Sequence, residues 1–263
     1  MQTRRQRKGS GKACPIEQAR DTLLLIFDLD DTLVDTSDVY YRARTCFLDV
    51  LRRVGIAPNL ALKRFEEIES SHIAEYGFAP ERYGKSMQVT YDMLARECGL
   101  SAREDIKKRL EECGRIVIEE CPQLIDGALE VLDWASKRYE MCLVTRGIAD
   151  LQLRKTARVG ISQYFKRIEV VAQKDADVLR RIIEKEGSAP SATWVIGDSI
   201  KSDINPAVEV GARCILYLYT HASYHWQQEY GDIPKGPFYV AKTLPEIRDI
   251  IEAPEHFTMV LTL

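Results

Sequence analysis

Leu23 to Phe27 are five consecutive apolar residues, and they run straight into Asp28-Leu29-Asp30-Asp31-Thr32. Five apolar positions without polar alternation predict a strand buried on both faces, of the kind found in parallel sheets. Beyond it the pattern takes up the helical period and keeps it for about ninety residues. Residues 39–54 place Val39, Ala43, Phe47, Val50 and Val54 on one face. Residues 86–98 do the same with Met87, Tyr91, Leu94 and Cys98, and residues 105–118 with Ile106, Leu110, Cys113 and Val117. Between Pro58 and Tyr83 a further helix is expected, followed by a turn at Gly77 and Pro80. No strong strand interrupts this stretch, which reads as a helical insertion.

From Asp126 the pattern alternates. Asp126 is placed to cap a helix that turns Ala128, Val131, Leu132 and Ala135 inward. Strands are expected at Met141 to Thr145, Ile168 to Val171, Thr193 to Ile196 and Cys214 to Tyr219. Between them come a helix stopped by Gly160, one over Asp175 to Lys185 and one over Ser202 to Val210, with a closing helix at Leu244 to Ile251. Alternation of this kind predicts βαβ units and a mostly parallel sheet. The expected class is α/β, a Rossmann-like core (residues 21–35 and 123–263) interrupted by a helical domain at 36–122.

A chain of 263 residues fits one large domain or two modest ones. Its 45% hydrophobic and 29% charged content is ordinary for a globular protein, and a net charge of -3 argues against binding driven by nucleic-acid phosphates. The seven cysteines (14, 46, 98, 113, 121, 142 and 214) include no C-x-x-C pair, and buried free thiols are expected rather than disulfides. Met1 to Arg20 is basic through Arg4, Arg5, Arg7, Lys8 and Lys12 and lacks an apolar signal core, so a disordered tail and a cytoplasmic location are expected. No apolar stretch approaches the ~18 to 20 residues of a membrane span, and neither a membrane nor a nucleic-acid partner is expected. Oligomeric state is not readable from these features.

The candidate chemistry begins at the end of the first strand. Residues two apart on a strand point the same way, so Asp28 and Asp30 project together from its carboxyl end, where open α/β sheets bind ligands. Two carboxylates so close repel unless a cation lies between them, and Mg2+ is the hard cation that prefers such oxygens. The other strands end in Thr145-Arg146-Gly147, in Lys174 just past the third, and in Gly197-Asp198-Ser199 with Asp203 five residues beyond Asp198. Parallel strands bring all these ends to one edge. Acids, a hydroxyl, an arginine and a lysine suit a dianionic phosphate beside a cation.

Asp28-Leu29-Asp30-Asp31-Thr32, Thr145, Lys174 and Gly197-Asp198-Ser199-x-x-x-Asp203 resemble, in order, the four motifs of the haloacid dehalogenase (HAD) superfamily. The likeness spans about residues 23 to 216, and the helical insertion resembles that family's cap of the first type. Thr220 to Ile251, with Trp226, resembles the tail of bacterial hydrolases of the superfamily. The resemblance implies Asp28 as nucleophile, forming an aspartyl-phosphate, and Asp30 as general acid and base. It implies Mg2+ held by Asp28, the backbone carbonyl of Asp30 and Asp198, with Asp203 in the metal site holding the ion's water shell or the motif loop. It also implies phosphate binding by Thr145, Arg146, Gly147 and Lys174.

An acid at position 30 favours a phosphatase over a dehalogenase, because halide leaves without a proton and an alkoxide does not. The expected function is therefore Mg2+-dependent hydrolysis of a small phosphorylated metabolite. A phosphomutase is the alternative within the superfamily, and a binding protein that kept the fold is the alternative outside catalysis. Arg146 stands where the family more often has Asn, Lys or Gly; it either contacts substrate or pairs with an acid such as Asp31. Asp175 follows Lys174 where many members have Pro, which leaves Lys201 and Arg167 as weaker third-motif candidates. Tyr40, Tyr41, Arg44, Arg82, Tyr83 and Lys85 are cap candidates for substrate contact, with Arg82, Tyr83 and Lys85 foremost. His72, His221, His225 and His256 lack metal-ligand spacing, so structural or surface roles are expected for them.

Overall fold

The computed structural model describes residues 23–77, 79, 81–218 and 233–261. The expectations for the tail at 1–20, for Pro80, for Tyr219 and for Thr220, His221, His225 and Trp226 lie outside the described residues.

Among the described residues six strands form one parallel sheet: β1 (Leu24–Phe27), β2 (Glu140–Arg146), β3 (Arg167–Val171), β4 (Thr193–Gly197), β5 (Arg213–Tyr217) and β6 (Tyr239–Ala241), in the order β3-β2-β1-β4-β5-β6. The apolar run of β1 places it at the centre, with Phe27 level with Leu143 of β2 and Ile196 of β4. The chain winds one way through β2 and β3 and then crosses to β4, so the order reverses beside β1. A doubly wound sheet opens its binding crevice at such a reversal.

Alternation along β1 serves two cores. Leu25 and Phe27 pack with Val131, Leu132, Leu244 and Ile247, from α5 (Ala128–Ser136) and α9 (Leu244–Glu252). Leu24 and Ile26 pack with Leu179, Ile182 and Ala207, from α7 (Ala176–Lys185) and α8 (Asn205–Val210). On the remaining crossover, α6 (Ala149–Arg158) follows β2.

Between β1 and α5 lie α1 (Thr36–Arg53), α2 (Pro58–Tyr76), α3 (Arg82–Glu97) and α4 (Glu104–Glu119). The faces read from the sequence, with Phe65 of α2 added to them, meet in a third, separate core of Ala43, Phe47, Phe65, Met87, Tyr91, Leu94, Ile106 and Leu110. Burying each large side chain there contributes about 1.5 to 3 kcal/mol. The two chain segments that enter and leave this helical unit run side by side: Val34 bridges Leu124, Asp35 N–H donates to the Gln123 carbonyl at 2.8 Å, and Ile125 N–H donates to that of Leu33 at 3.0 Å. No described helix is long and apolar enough to cross a membrane.

Four local expectations change. Asp126 does not cap α5; Gly127 does, at φ 87°, and a Cβ there would lie 2.8 Å from Pro245. The turn needs a left-handed residue in a tight space, and only glycine meets both demands. Cys46 and Cys113 form a disulfide between α1 and α4 instead of remaining thiols, a pairing that depends on how two helices 67 residues apart align. Cys98 ends α3 exposed rather than facing inward. The helix expected at Ser202 starts earlier, as a π-helical turn over Ile200–Ile204 that continues into α8.

Candidate active site

Asp28 continues the β1 ladder by one residue, its N–H donating to the Ile196 carbonyl at 2.9 Å. The chain then turns sharply. Leu33 and Val34 both donate to the Leu29 carbonyl, at 2.9 and 3.1 Å, and Asp31 takes a left-handed φ of 60°. That conformation is unfavourable outside glycine and needs support. The buried Asp31 carboxylate supplies it by accepting from Ser37 N–H at 2.8 Å and Ser37 Oγ at 2.6 Å. Asp31 therefore anchors the turn to the first turn of α1, and burial pushes its carboxyl up to about 6.

The buried Lys174 ammonium donates to Asp28 Oδ1 and, at 2.5 Å, to Asp203 Oδ1. Asp203 is aimed by its other oxygen, which accepts from Ser199 N–H at 3.1 Å. Gly197 is what lets Asp203 in, since a Cβ there would lie 2.2 Å from the Asp203 Cγ. Lys174 is thus the third-motif lysine that reaches Asp28, whereas Arg167 is held by Glu186 at 2.5 Å and Glu169 at 3.5 Å.

Asp28, Asp198 and Asp203 can each present a ligand atom within 4.8 Å of the others. Burial pushes Asp28 up to about 7 against the pull of Lys174, with Asp203 and Asp30 adding repulsion. Asp198 is raised well above the usual carboxylate range by burial and by its neighbours Asp28 and Asp203. Burial alone would lower Lys174, yet Asp203 and Asp28 outweigh it and hold the ammonium charged. One lysine among three close carboxylates leaves excess negative charge. An all-oxygen donor set with that excess fits a hard divalent cation such as Mg2+.

Asp30 occupies a different environment. Its Oδ1 accepts from Thr36 Oγ1 at 2.5 Å and from the Lys155 ammonium, and its Oδ2 accepts from Gln152 Nε2 at 2.6 Å. Burial raises its proton affinity, but Lys155, Thr36 and Gln152 together hold the carboxyl below its usual value. Gln152 also donates to Thr145 Oγ1 at 2.6 Å and to the Arg146 carbonyl at 3.0 Å. Gly147 N–H donates to Val171 at 3.1 Å, which closes the end of β2 against β3.

Asp28, Asp30, Thr145, Arg146, Gly147, Lys174, Asp198 and Asp203 therefore converge at one sheet edge. Arg82 and Tyr83 lie inside the helical unit. Arg82 forms a buried ion pair with Glu69, and the Tyr83 ring stands edge-on to Tyr40 and Phe65 at 5.0 and 5.2 Å. Lys85 holds its ammonium 5.2 Å from the centre of the Tyr76 ring. His72 bonds Ser86 at 2.9 Å within the same unit.

Thr36, Gln152 and Lys155 are absent from the motif reading. The structure buries the polar Gln152 and Thr156 on α6 and leaves Leu153 exposed, so the hydrophobic pattern of this helix does not mark the face that meets Asp30.

A family model described as haloacid dehalogenase-like hydrolase matches residues 25–217. The chain belongs to that family. Among relatives of this HAD hydrolase, the glyceraldehyde 3-phosphate phosphatase of Pyrococcus furiosus is 24% identical over 241 residues, covering 87% of this chain and 92% of the relative. A HAD-like hydrolase from Xanthomonas campestris shares the fold with a TM-score of 0.72 at 22% identity, over 90% of this chain and 93% of its own. The Bacillus subtilis protein YfnB, in a magnesium-bound crystal form, superposes with a TM-score of 0.60 at 21% identity, over 89% of this chain and 100% of its own.

Proposed function

We propose that this HAD hydrolase is a phosphatase that hydrolyses a small phosphorylated metabolite through an aspartyl-phosphate on Asp28. The observation that carries the reading is the pair of unlike carboxylates on one strand end. Asp28 is held against Lys174, and Asp30, two residues on, is held by hydrogen-bond donors from α1 and α6. Two acids in two environments suit a nucleophile and a proton carrier. The phosphatase name of the Pyrococcus relative supports the same chemistry.

In the first half-reaction an Asp28 oxygen attacks phosphorus, the ester P–O bond breaks, and the leaving oxygen takes a proton from Asp30. The incoming phosphate dianion beside Asp30 raises its affinity for that proton. Lys174 and Thr145 offset the charge on the phosphoryl oxygens. In the second half-reaction Asp30, again a carboxylate, takes a proton from water as that water attacks phosphorus. Phosphate leaves and Asp28 is restored.

Asp28, Asp198, Asp203 and the backbone carbonyl of Asp30 are the groups that would hold Mg2+, a reading supported by their donor chemistry and by the magnesium-bound YfnB. When bound, the cation neutralises the charge that carboxylates and phosphate would otherwise share. The helical unit at 36–122 serves as a cap that selects the leaving group, supported by its separate core and paired linkers.

The test is a screen of phosphorylated metabolites for release of inorganic phosphate, with Mg2+ and with chelator. Turnover that needs the cation and drops by about a thousandfold or more in Asp28→Asn is the expected result. Near-wild-type activity in Asp28→Asn removes the assignment, and isomerised product without free phosphate turns it toward a mutase.

A further inference from the structure

We propose that Gln152 and Lys155 are positioning residues for two groups of the reaction: Gln152 aims the Thr145 hydroxyl and one oxygen of Asp30, and Lys155 anchors the other. The inference rests on the reading of Asp28 and Asp30 given above and extends it to α6.

The two side chains are three residues apart on one helix, a spacing that puts them on the same face. Gln152 is buried, and its amide nitrogen meets three acceptors: Asp30 Oδ2 and Thr145 Oγ1 at 2.6 Å and the Arg146 carbonyl at 3.0 Å. A carboxylate and a carbonyl can only accept, so the amide must turn its nitrogen toward them; the flipped amide would set oxygen against oxygen. The two amide hydrogens are shared among the three acceptors, and when Thr145 Oγ1 receives one its own hydrogen is left to point at a phosphoryl oxygen. Gly147 makes room for the arrangement, because a Cβ at that position would come within 3.2 Å of the Gln152 Cγ.

Lys155 acts on the opposite side of Asp30. Its ammonium and the Thr36 hydroxyl share Oδ1, so both carboxylate oxygens have donors and the group has one rotamer to rest in. Removing Lys155 frees that rotamer without touching Asp28, Lys174 or Asp198. Phosphoryl transfer to Asp28 then persists for a leaving group that needs no proton and falters for one that does.

The experiment compares Lys155→Met, Lys155→Arg and Gln152→Met, in the wild-type and Asp30→Ala backgrounds, on one alkyl phosphate and one aryl phosphate. Lys155→Met is expected to lower kcat on the alkyl ester by about tenfold to a hundredfold, with KM within about threefold, and to lower it less on the aryl ester. Lys155→Arg should recover part of the loss. In Asp30→Ala, Lys155→Met should cost less than about twofold, because its target is gone. Gln152→Met should keep a residual loss and a raised KM in that background, through Thr145. Thermal unfolding of the same metal-free proteins gives a second cycle, in which the Lys155 and Asp30 substitutions should be non-additive. Equal kcat losses in both backgrounds, or additive shifts in Tm, overturn the proposal while an active wild type leaves the catalytic reading standing. A wild type that turns over no phosphoester removes both.

Discussion

Lys174 Nζ lies 2.5 Å from Asp203 Oδ1 and at the same time donates to Asp28, so one ammonium joins the end of β1 to the π-helical turn that follows β4. Twenty-nine residues separate Lys174 from Asp203, and 146 separate it from Asp28. Removing the lysine leaves two buried carboxylates facing Asp198 with no cation. Lys174→Met is expected to lower stability by about 3 kcal/mol at neutral pH, as breaking a buried ion pair from one side does. The loss should shrink at pH 4, well below the raised value of Asp28. Urea unfolding at the two pH values measures it; an equal loss at both would mean that charge is not the cause.

The raised carboxyls make a second prediction. Asp28 at about 7 and Asp198 above the usual range keep protons that the unfolded chain has already released. Their contribution to the stability of the metal-free protein is full below the unfolded carboxyl range and is lost as pH rises, through about 7 for Asp28. Mg2+ competes with those protons, so it should raise Tm more at pH 8 than at pH 5. Chelator should reverse the gain and abolish turnover. A magnesium-induced shift independent of pH would count against these carboxylates as ligands.

Gly114 of α4 meets Gly84 of α3 where the two helices cross. A Cβ on Gly114 would lie 2.2 Å from the Gly84 Cα, a backbone atom that cannot swing aside. Alanine would gain about 1 kcal/mol of helix propensity, and the forced separation of the helices should cost more than that. Gly114→Ala is therefore expected to destabilise the protein by about 1 to 2 kcal/mol net, read from the midpoint of chemical unfolding. A neutral or stabilising effect would show that the helices can part freely.

Arg82 and Glu69 form a buried ion pair, and Glu69 Oε2 has no hydrogen-bond partner among the described residues. Arg82→Met alone should cost about 3 kcal/mol by leaving a buried carboxylate, and the double change with Glu69→Leu should recover most of it. Lys85 is the cleaner probe of substrate choice: Lys85→Ala should reorder a panel of phosphate esters while the rate on a small aryl phosphate stays within about twofold. A fixed ranking across that panel would remove Lys85 from substrate selection.

The sequence by itself determined the elements and the reacting groups. The apolar run of β1, the helical faces at 39–54, 86–98 and 105–118, and the two-residue spacing of Asp28 and Asp30 are local patterns, and backbone periodicity translates such patterns directly into strands, faces and strand ends. Strand and helix alternation then brought Thr145, Lys174 and Asp198 to the same edge, because parallel βαβ units align all carboxyl ends. Tertiary structure decided what each group touches. That Lys155, Gln152 and Thr36 close on Asp30, that Arg82 turns to Glu69, and that Cys46 bonds Cys113 all depend on how separate elements pack and which rotamers that packing allows. The same holds for β6, whose three residues carry too little periodicity to register as a strand until β5 offers them a partner. Gly127 rather than Asp126 begins α5 for a related reason: the space left by Pro245, a residue more than a hundred positions away, selects the turn.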